Sequence, residues 1–452
     1  PLLFRKKYGN SLARNITQDF AVADLDALAR QHSFKQRESK LSPHEFIDTL
    51  MFSELDHSQL SLQDCCNDLH QQHQKQYSKV ALHKRFDQTA VDFLQSVLGK
   101  QLANHPVTAP DCLWSSFNRI LIGDSCKFSI APALAKDYPG LYRGQGAKAL
   151  MNLQYSFDLK SGQWQYLQFT KATDNDQSHS RRVINDVQAN DLLIRDLGYV
   201  THDYLQSITE RKAWFINRMP PKWVPLQAKN NQSIDWKCIH HRIKKHKLHF
   251  VETQVIIGEK VCSTPFRLII SLVPPSVYKE RIAKAEKHAQ QKGHQVSKEY
   301  RLRSWLNSFI TNIPSTILSA SDVNRVYNTR WQIELVFKTW KSLLLIHKCK
   351  PVKRYRFECQ LLAKFIWVLL NWKIFHAVSK FILEHSPNNN CSVWKFFKQA
   401  KHHTYSLRMV ITAVLPFEQW CRMYMYPIIS GLLLEPKKYK TPHHEVLNQA
   451  FA

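Results

Sequence analysis

The chain has 452 residues and sets 63 Lys and Arg against 36 Asp and Glu, a formal net charge of +27. Its 44% hydrophobic and 12% aromatic content excludes a disordered basic tail and suits a globular protein of about two to four domains, at roughly 100 to 200 residues each. So large an excess of positive charge calls for a polyanionic partner, with nucleic acid ahead of an anionic membrane.

The opening segment PLLFRKKYGN lacks an apolar core of signal-peptide length, so export is not expected, and Pro1 in place of an initiator Met suggests a trimmed chain. Residues 1–108 read as helices forming a DNA-binding region. Ser42-Pro43-His44-Glu45 sets an N-cap, a first-turn Pro and a capping-box Glu ahead of Phe46, Ile47, Leu50 and Met51. Ser61, with Asp64 three residues on, marks a second start. Ser78 opens a longer helix through Leu82, Phe86, Phe93, Leu94 and Val97. Its first turns carry Lys79, His83, Lys84 and Arg85, which suits a helix-turn-helix presented to a DNA groove and equally a plain bundle with a wet basic face.

From Trp114 the period changes to two, and residues 109–219 read as a mixed α/β sheet. RILIGD, Arg119 to Asp124, is a short apolar strand ending in a carboxylate. Ala149 to Asp158 alternates, with Met151, Leu153, Tyr155 and Phe157 on one side and Asn152, Gln154, Ser156 and Asp158 on the other. A turn at Lys160 to Gln163 joins it to Trp164 to Thr170 as an antiparallel hairpin. A helix over Ser180 to Gln188 precedes the buried strand Leu192 to Ile194, which ends at Asp196. After the turn Leu197-Gly198-Tyr199 come another helix and a strand at Trp214 to Asn217.

Residues 220–304 read as a β-rich, basic insertion, with Cys238 to Phe250, Val251 to Gly258 and Phe266 to Val273 as strands. On a strand, Cys238, His240 and His246 face one way and His241 and His249 the other, so a tetrahedral zinc site is awkward and a basic, pH-sensitive DNA-facing ribbon fits better. Lys279 to Lys298 is a charged helix, and Arg301 to Ile313 resumes as a strand carrying Trp305. Residues 305–380 return to the core. There Leu361 to Val378, broken by Lys364, Asn371, Lys373 and His376, reads as a buried or amphipathic helix, not a membrane span. A Pro-Asn break at Pro387 to Asn390 separates a helical region, 381–452. Ten Cys without a CxxC pair suit reduced thiols in a cytoplasm, and the adjacent Cys65 and Cys66 are core residues.

Tyr327 to Lys341, YNTRWQIELVFKTWK, stands out. Steps of 3, 4, 4 and 3 through Tyr327, Arg330, Glu334, Lys338 and Lys341 gather a phenol, a carboxylate and three cations on one helix face. Ile333, Phe337, Trp340 and Leu344 give the opposite face to a core, and Ser319 and Ser321 offer N-caps. Alone, the polar stripe reads first as a set of ordinary i,i+4 ion pairs on a solvated face. Two carboxylates at strand ends, Asp124 and Asp196, precede it. If neighbouring strand ends coincide, those two and Glu334 form an anionic cluster that selects hard Mg2+ or Mn2+, and two such ions promote in-line attack on a phosphodiester.

The strand IGDS at Asp124, the segment RDLGY at Asp196 and the Tyr-Arg-Glu-Lys helix, with TNIP at Thr311 to Pro314 before it, together resemble the DDE transposases of the insertion-sequence-four family. The resemblance covers Arg119 to Lys341, with Cys126 where a Thr is usual. It implies an α/β ribonuclease H-like catalytic core interrupted by the β-rich insertion and flanked by α-helical N-terminal and C-terminal regions. Asp124, Asp196 and Glu334 would be catalytic and would ligate Mg2+ (or Mn2+). Tyr327, Arg330, Lys338 and Lys341 would hold phosphates of the cleaved DNA end, and Trp305 would stack near a flipped base. The implied partners are double-stranded DNA, as element terminal inverted repeats and target, and a second copy in a homodimeric synaptic complex, with no membrane. The implied location is the bacterial cytoplasm, at the nucleoid. A catalytically inactive, DNA-binding descendant is the alternative.

Overall fold

The computed structural model describes residues 10–53, 60–103, 116–141, 148–257, 265–348, 350, 352–386 and 389–433. Trp114, Gly258 and Pro387 of the expected break lie outside them.

Helices α1 (Asn10–Asp19), α2 (Val22–Gln31), α3 (Pro43–Phe52), α4 (Leu62–His73), α5 (Lys79–Lys84) and α6 (Gln88–Ala103) come first. Both expected capping boxes are formed: the Ser42 side chain accepts from the Glu45 N–H and Ser61 from Asp64, each with the reciprocal bond. The single long helix expected from Ser78 is instead two. Asp87 caps a fresh start by accepting the Ala90 N–H at 2.9 Å, so the chain turns at Arg85 and Phe86 and leaves only six residues in α5.

Then follow β1 (Ile120–Ser129), β2 (Leu150–Asp158), β3 (Trp164–Lys171), α7 (Asp176–Val183), β4 (Leu192–Arg195), α8 (His202–Glu210) and β5 (Trp214–Arg218). The hairpin pairs as expected, but β2 is buried on both faces: Asn152, Gln154, Ser156 and Asp158 lie inside with its aromatic side. The helix expected from Ser180 starts earlier, at Asp176, because the Asn175 side chain accepts the Ser178 N–H.

The insertion adds β6 (Leu226–Gln227), α9 (Trp236–Lys245), β7 (Val251–Ile256), β8 (Phe266–Leu272), α10 (Pro275–Gln291) and α11 (Lys298–Ser304) before β9 (Leu306–Thr311). Two strand expectations fail here. The run from Cys238 is helical because Asp235 accepts the Lys237 and Cys238 N–H groups, and Trp236, Ile239 and Ile243 recur at helical spacing against the sheet. Arg301 to Ser304 is helical under the Ser297 cap, so Trp305 is the residue after α11 and not part of a strand.

Among the described residues the nine strands form one sheet in the order β3-β2-β1-β4-β5-β9-β8-β7-β6. β1, β4 and β5 run parallel; the other pairings are antiparallel. One face packs on α12 (Ala320–Asn328) and α13 (Trp331–Ser342), and the other on α8. Ile333, Phe337, Trp340 and Leu344 are buried as their spacing requires. The expected single helix from Tyr327 to Lys341 is interrupted at Thr329 and Arg330. There i to i−3 bonds tighten the turn, and the Thr329 hydroxyl donates to the Val326 carbonyl at 2.7 Å.

Beyond them lies α14 (Arg354–His385), followed by α15 (Val393–His402), α16 (Thr404–Ile411) and α17 (Phe417–Trp420). By length and composition α14 is apolar enough to cross a membrane, yet it is buried among the protein's own elements. Its Phe365 packs on Trp340, and its Trp372 packs on Phe157 and Trp164. The helices α1 to α6 share this core. Cys65 and Cys66 are both buried in it, and the cysteines with described surroundings are free thiols.

Candidate functional site

The parallel register pairs Ile120 with Leu192, Ile122 with Ile194 and Gly123 with Arg195. Asp124 and Asp196 are the next residues on strands that run about 4.8 Å apart. Because side chains alternate, these two carboxylates share a face with Ile120, Leu192 and Ile194, which pack beside Tyr327. Asp196 follows the end of β4, whereas Asp124 lies inside β1, which continues along β2 to Ser129. The short strand expected to end at Asp124 is therefore longer. What ends there is its parallel partner.

Glu334 enters from the first turn of α13. The i,i+4 pair with Arg330 is present, at 2.6 Å from Nη2 to Glu334 Oε1, and the same guanidinium reaches Asp124 Oδ2 at 3.1 Å from Nη1. This cation thus reaches a carboxylate 206 positions away in the chain. Burial pushes the Asp124 carboxyl up to about 6, with Asp196 and Asp176 adding to the shift and the Ser125 N–H and Arg330 opposing it. Burial alone would lower Arg330, but Tyr327, Asp196, Glu334 and Asp124 reverse this and hold it above its usual value.

Tyr327 is buried between Phe309, at 5.1 Å, and the Arg330 guanidinium, at 5.9 Å, and burial pushes its hydroxyl up to about 12. Lys338 is exposed, its ammonium 5.8 Å from the ring of Trp394. Lys341 donates to the Lys127 carbonyl at 3.1 Å, three residues past Asp124 on β1. Trp305 stands apart from this group: it stacks on Tyr278 at 3.9 Å and lies 6.2 Å from His240.

Two residues behind the carboxylates were missed in the sequence. Arg195 is wholly buried, with Nη1 donating to the Tyr166 hydroxyl at 3.0 Å and Nη2 to Ser156 Oγ at 3.3 Å. Gly123 leaves room for it, since a Cβ there would sit 1.1 Å from Arg195 Nη1. The available signal was a charged residue inside the apolar run LLIR and a glycine inside a strand.

Among the described residues no three His, Cys, Asp or Glu side chains already stand as a metal-binding group. Cys238, His240 and His241 lie on α9, and His246 and His249 follow it. At the carboxylates the donor chemistry suits a hard cation: oxygen ligands at adjoining register, and anionic crowding that a divalent ion would relieve. Arg330 now supplies the positive charge between Asp124 and Glu334.

The model of the family described as "Transposase DDE domain" matches residues 115–370, a span that includes all three carboxylates. The chain is similar to the transposase for insertion sequence element IS231E of Bacillus thuringiensis subsp. finitimus, 28% identical over 417 residues that cover 88% of this chain and 86% of that one. It is likewise similar to that for IS231F of Bacillus thuringiensis subsp. israelensis, 28% identical over 414 residues (88% and 85%). The transposase for insertion sequence element IS1151 of Clostridium perfringens is 26% identical over 393 residues (82% of each).

Proposed function

The chain belongs to the Transposase DDE domain family, and from that premise we propose that it carries out cut-and-paste DNA transposition, with Asp124, Asp196 and Glu334 as the catalytic carboxylates. The observation that carries this reading is the convergence of three anions from β1, the end of β4 and α13, with Arg330 joining the first to the third. The order β3-β2-β1-β4-β5, antiparallel then parallel, supports a ribonuclease H-like core.

The carboxylate oxygens of Asp124, Asp196 and Glu334 are the groups that would hold Mg2+ or Mn2+. Such ions supply activation of a water or 3′-hydroxyl and charge stabilisation of the leaving oxygen for in-line attack. The residues around them bind and orient DNA. Arg330 has a planar fork suited to phosphate as well as carboxylate, so one donor pair can turn to the backbone of the cleaved end. Lys341 fixes the edge of β1 and extends the positive surface with Lys338. Tyr327 supports Arg330 from beneath. Trp305 stacks on Tyr278 away from the carboxylate cluster, so any DNA it touches would lie outside that cluster. The partners are element terminal inverted repeats, target DNA and a second copy of the chain in a synaptic complex, acting in the bacterial cytoplasm at the nucleoid.

An inactive DNA-binding descendant is disfavoured, because a binding protein gains nothing from holding three anions beside DNA. We expect Asp124→Ala, Asp196→Ala or Glu334→Ala each to abolish Mg2+-dependent cleavage of a fragment bearing the element ends, while end binding by gel shift persists. Undiminished cleavage by any one variant removes that residue from the site.

A further inference from the structure

Helix α9 presents Lys237, Arg242, Lys244 and Lys245, all exposed, and Lys247 follows it. Among the described residues none of the five is in an ion pair, and the nearby carboxylates are engaged elsewhere. Asp235 caps the helix, Glu252 pairs with Arg267, Glu280 with Lys284, Glu286 with Arg301 and Glu299 with Arg303. A helix C-terminus favours cations, which accounts for Lys244 and Lys245; Lys237 sits in the first turn, where the helix dipole opposes it. Self-repulsion on this face is left for an outside anion to offset.

The opposite side of α9 is firmly seated. Trp236 and Ile243 pack with Val255, Leu268, Ile270 and Leu306, and the Arg303 guanidinium lies 4.6 Å over the Trp236 ring. The charged face is therefore rigidly presented. Its position is set by the sheet: Leu268 pairs with Ile310, which packs on α8, whereas Ile269 pairs with Phe309, which packs on α12. Hence α9 lies on the α8 side, across the sheet from Tyr327 and the face to which Asp124 and Asp196 point. DNA lying on α9 is a different stretch from the one whose phosphodiester meets the carboxylates, so in strand joining, where the target phosphodiester must itself reach Asp124, Asp196 and Glu334, α9 holds a flanking stretch of that duplex.

We propose that the outward face of α9, through Lys237, Arg242, Lys244 and Lys245, holds the phosphate backbone of the target duplex, separately from the element end at the carboxylates. This rests on the transposase reading. Lysines act as point charges and take phosphates without reading bases, which suits a partner of variable sequence.

The test is binding of the full chain to a random-sequence duplex without element ends, across a salt series. Replacing Lys237, Arg242, Lys244 and Lys245 together by Ala is expected to lower the slope of log K against log salt by about 3.6, at about 0.9 per contact. Binding and cleavage of a repeat-bearing end fragment should change less than about twofold, while strand joining into target DNA falls at least about tenfold. An unchanged slope overturns the proposal, as does an equal loss of end binding, which would make α9 an end contact. If the fourfold variant unfolds, Lys237→Ala/Lys245→Ala decides, with an expected loss of about 1.8. Wild-type protein that binds random duplex through α9 yet joins no strands would sink the transposase reading while leaving the DNA contact intact.

Discussion

Asp124 carries a charge that its surroundings disfavour, and this makes its chemistry testable without DNA. Its folded value, about 6, lies above the ordinary 3.8, and burial is the chief cause. A carboxyl raised in this way contributes stability that is fully present below about pH 4 and is lost as pH rises through about 6. Asp124→Asn removes the ionisable group. We expect urea unfolding to show this variant more stable than the parent at pH 8, by on the order of 1 to 3 kcal/mol, with the difference gone by pH 4. Equal stability at pH 8 would mean that Arg330 offsets the whole cost of burying the charge. Behind Asp124, Gly123 is required by space: a Cβ would overlap the Arg195 guanidinium. Gly123→Ala must displace a buried cation from Tyr166 and Ser156, so a loss of about 1 to 3 kcal/mol is expected in the same unfolding assay. A variant as stable as the parent would show that Arg195 has another seat.

At the scale of elements, what was legible in the sequence is what has a short period or a local rule. The β2–β3 hairpin, the buried β4 and both capping boxes were readable because alternation and Ser-x-x-Glu or Ser-x-x-Asp spacing act within a few residues. The order of Asp124, Asp196 and Glu334 was readable too. Their junction was not, since it depends on the β1–β4 register and on an arginine that reaches across the fold. In CIHHRIKKHKLHF the Lys and His residues fit either period, so only Ile239 and Ile243 carry the helical signal, and the cap that fixes it, Asp235, lies before the run. Trp305 was misplaced for a similar reason: the Ser297 cap extends α11 through Ser304 into what looked like one strand. The turn at Thr329 matters for chemistry as well as shape. It lets Arg330 face both Asp124 and Glu334 while Ile333 and Trp340 stay in the core.

Across the whole molecule, the helices before the sheet and those after it are joined by buried ion pairs as well as by apolar packing. Arg408 on α16 donates to Asp48 of α3 and to Asp68 of α4, and Lys373 of α14 reaches Asp19 at the end of α1 at 2.5 Å, with both side chains almost wholly buried. Burial lowers Lys373 from its usual value, and Asp19 opposes that shift. The same helix α14 packs Trp372 on Phe157 and Trp164 of the hairpin, so one element carries both the Lys373 contact and the packing on the strand that pairs with β1. Lys373→Met removes the buried cation that faces the Asp19 carboxylate and is expected to cost about 3 to 5 kcal/mol, whereas Asp19→Leu/Lys373→Met should recover most of that loss. Denaturant unfolding of the two variants, followed by circular dichroism and by tryptophan fluorescence, checks both the energies and the linkage. If α1 to α6 share one cooperative core with the hairpin, the two probes shift together in Lys373→Met. A fluorescence transition that stays at the parental midpoint while helical signal is lost early would show instead that the amino-terminal helices unfold apart from the strands that carry Asp124.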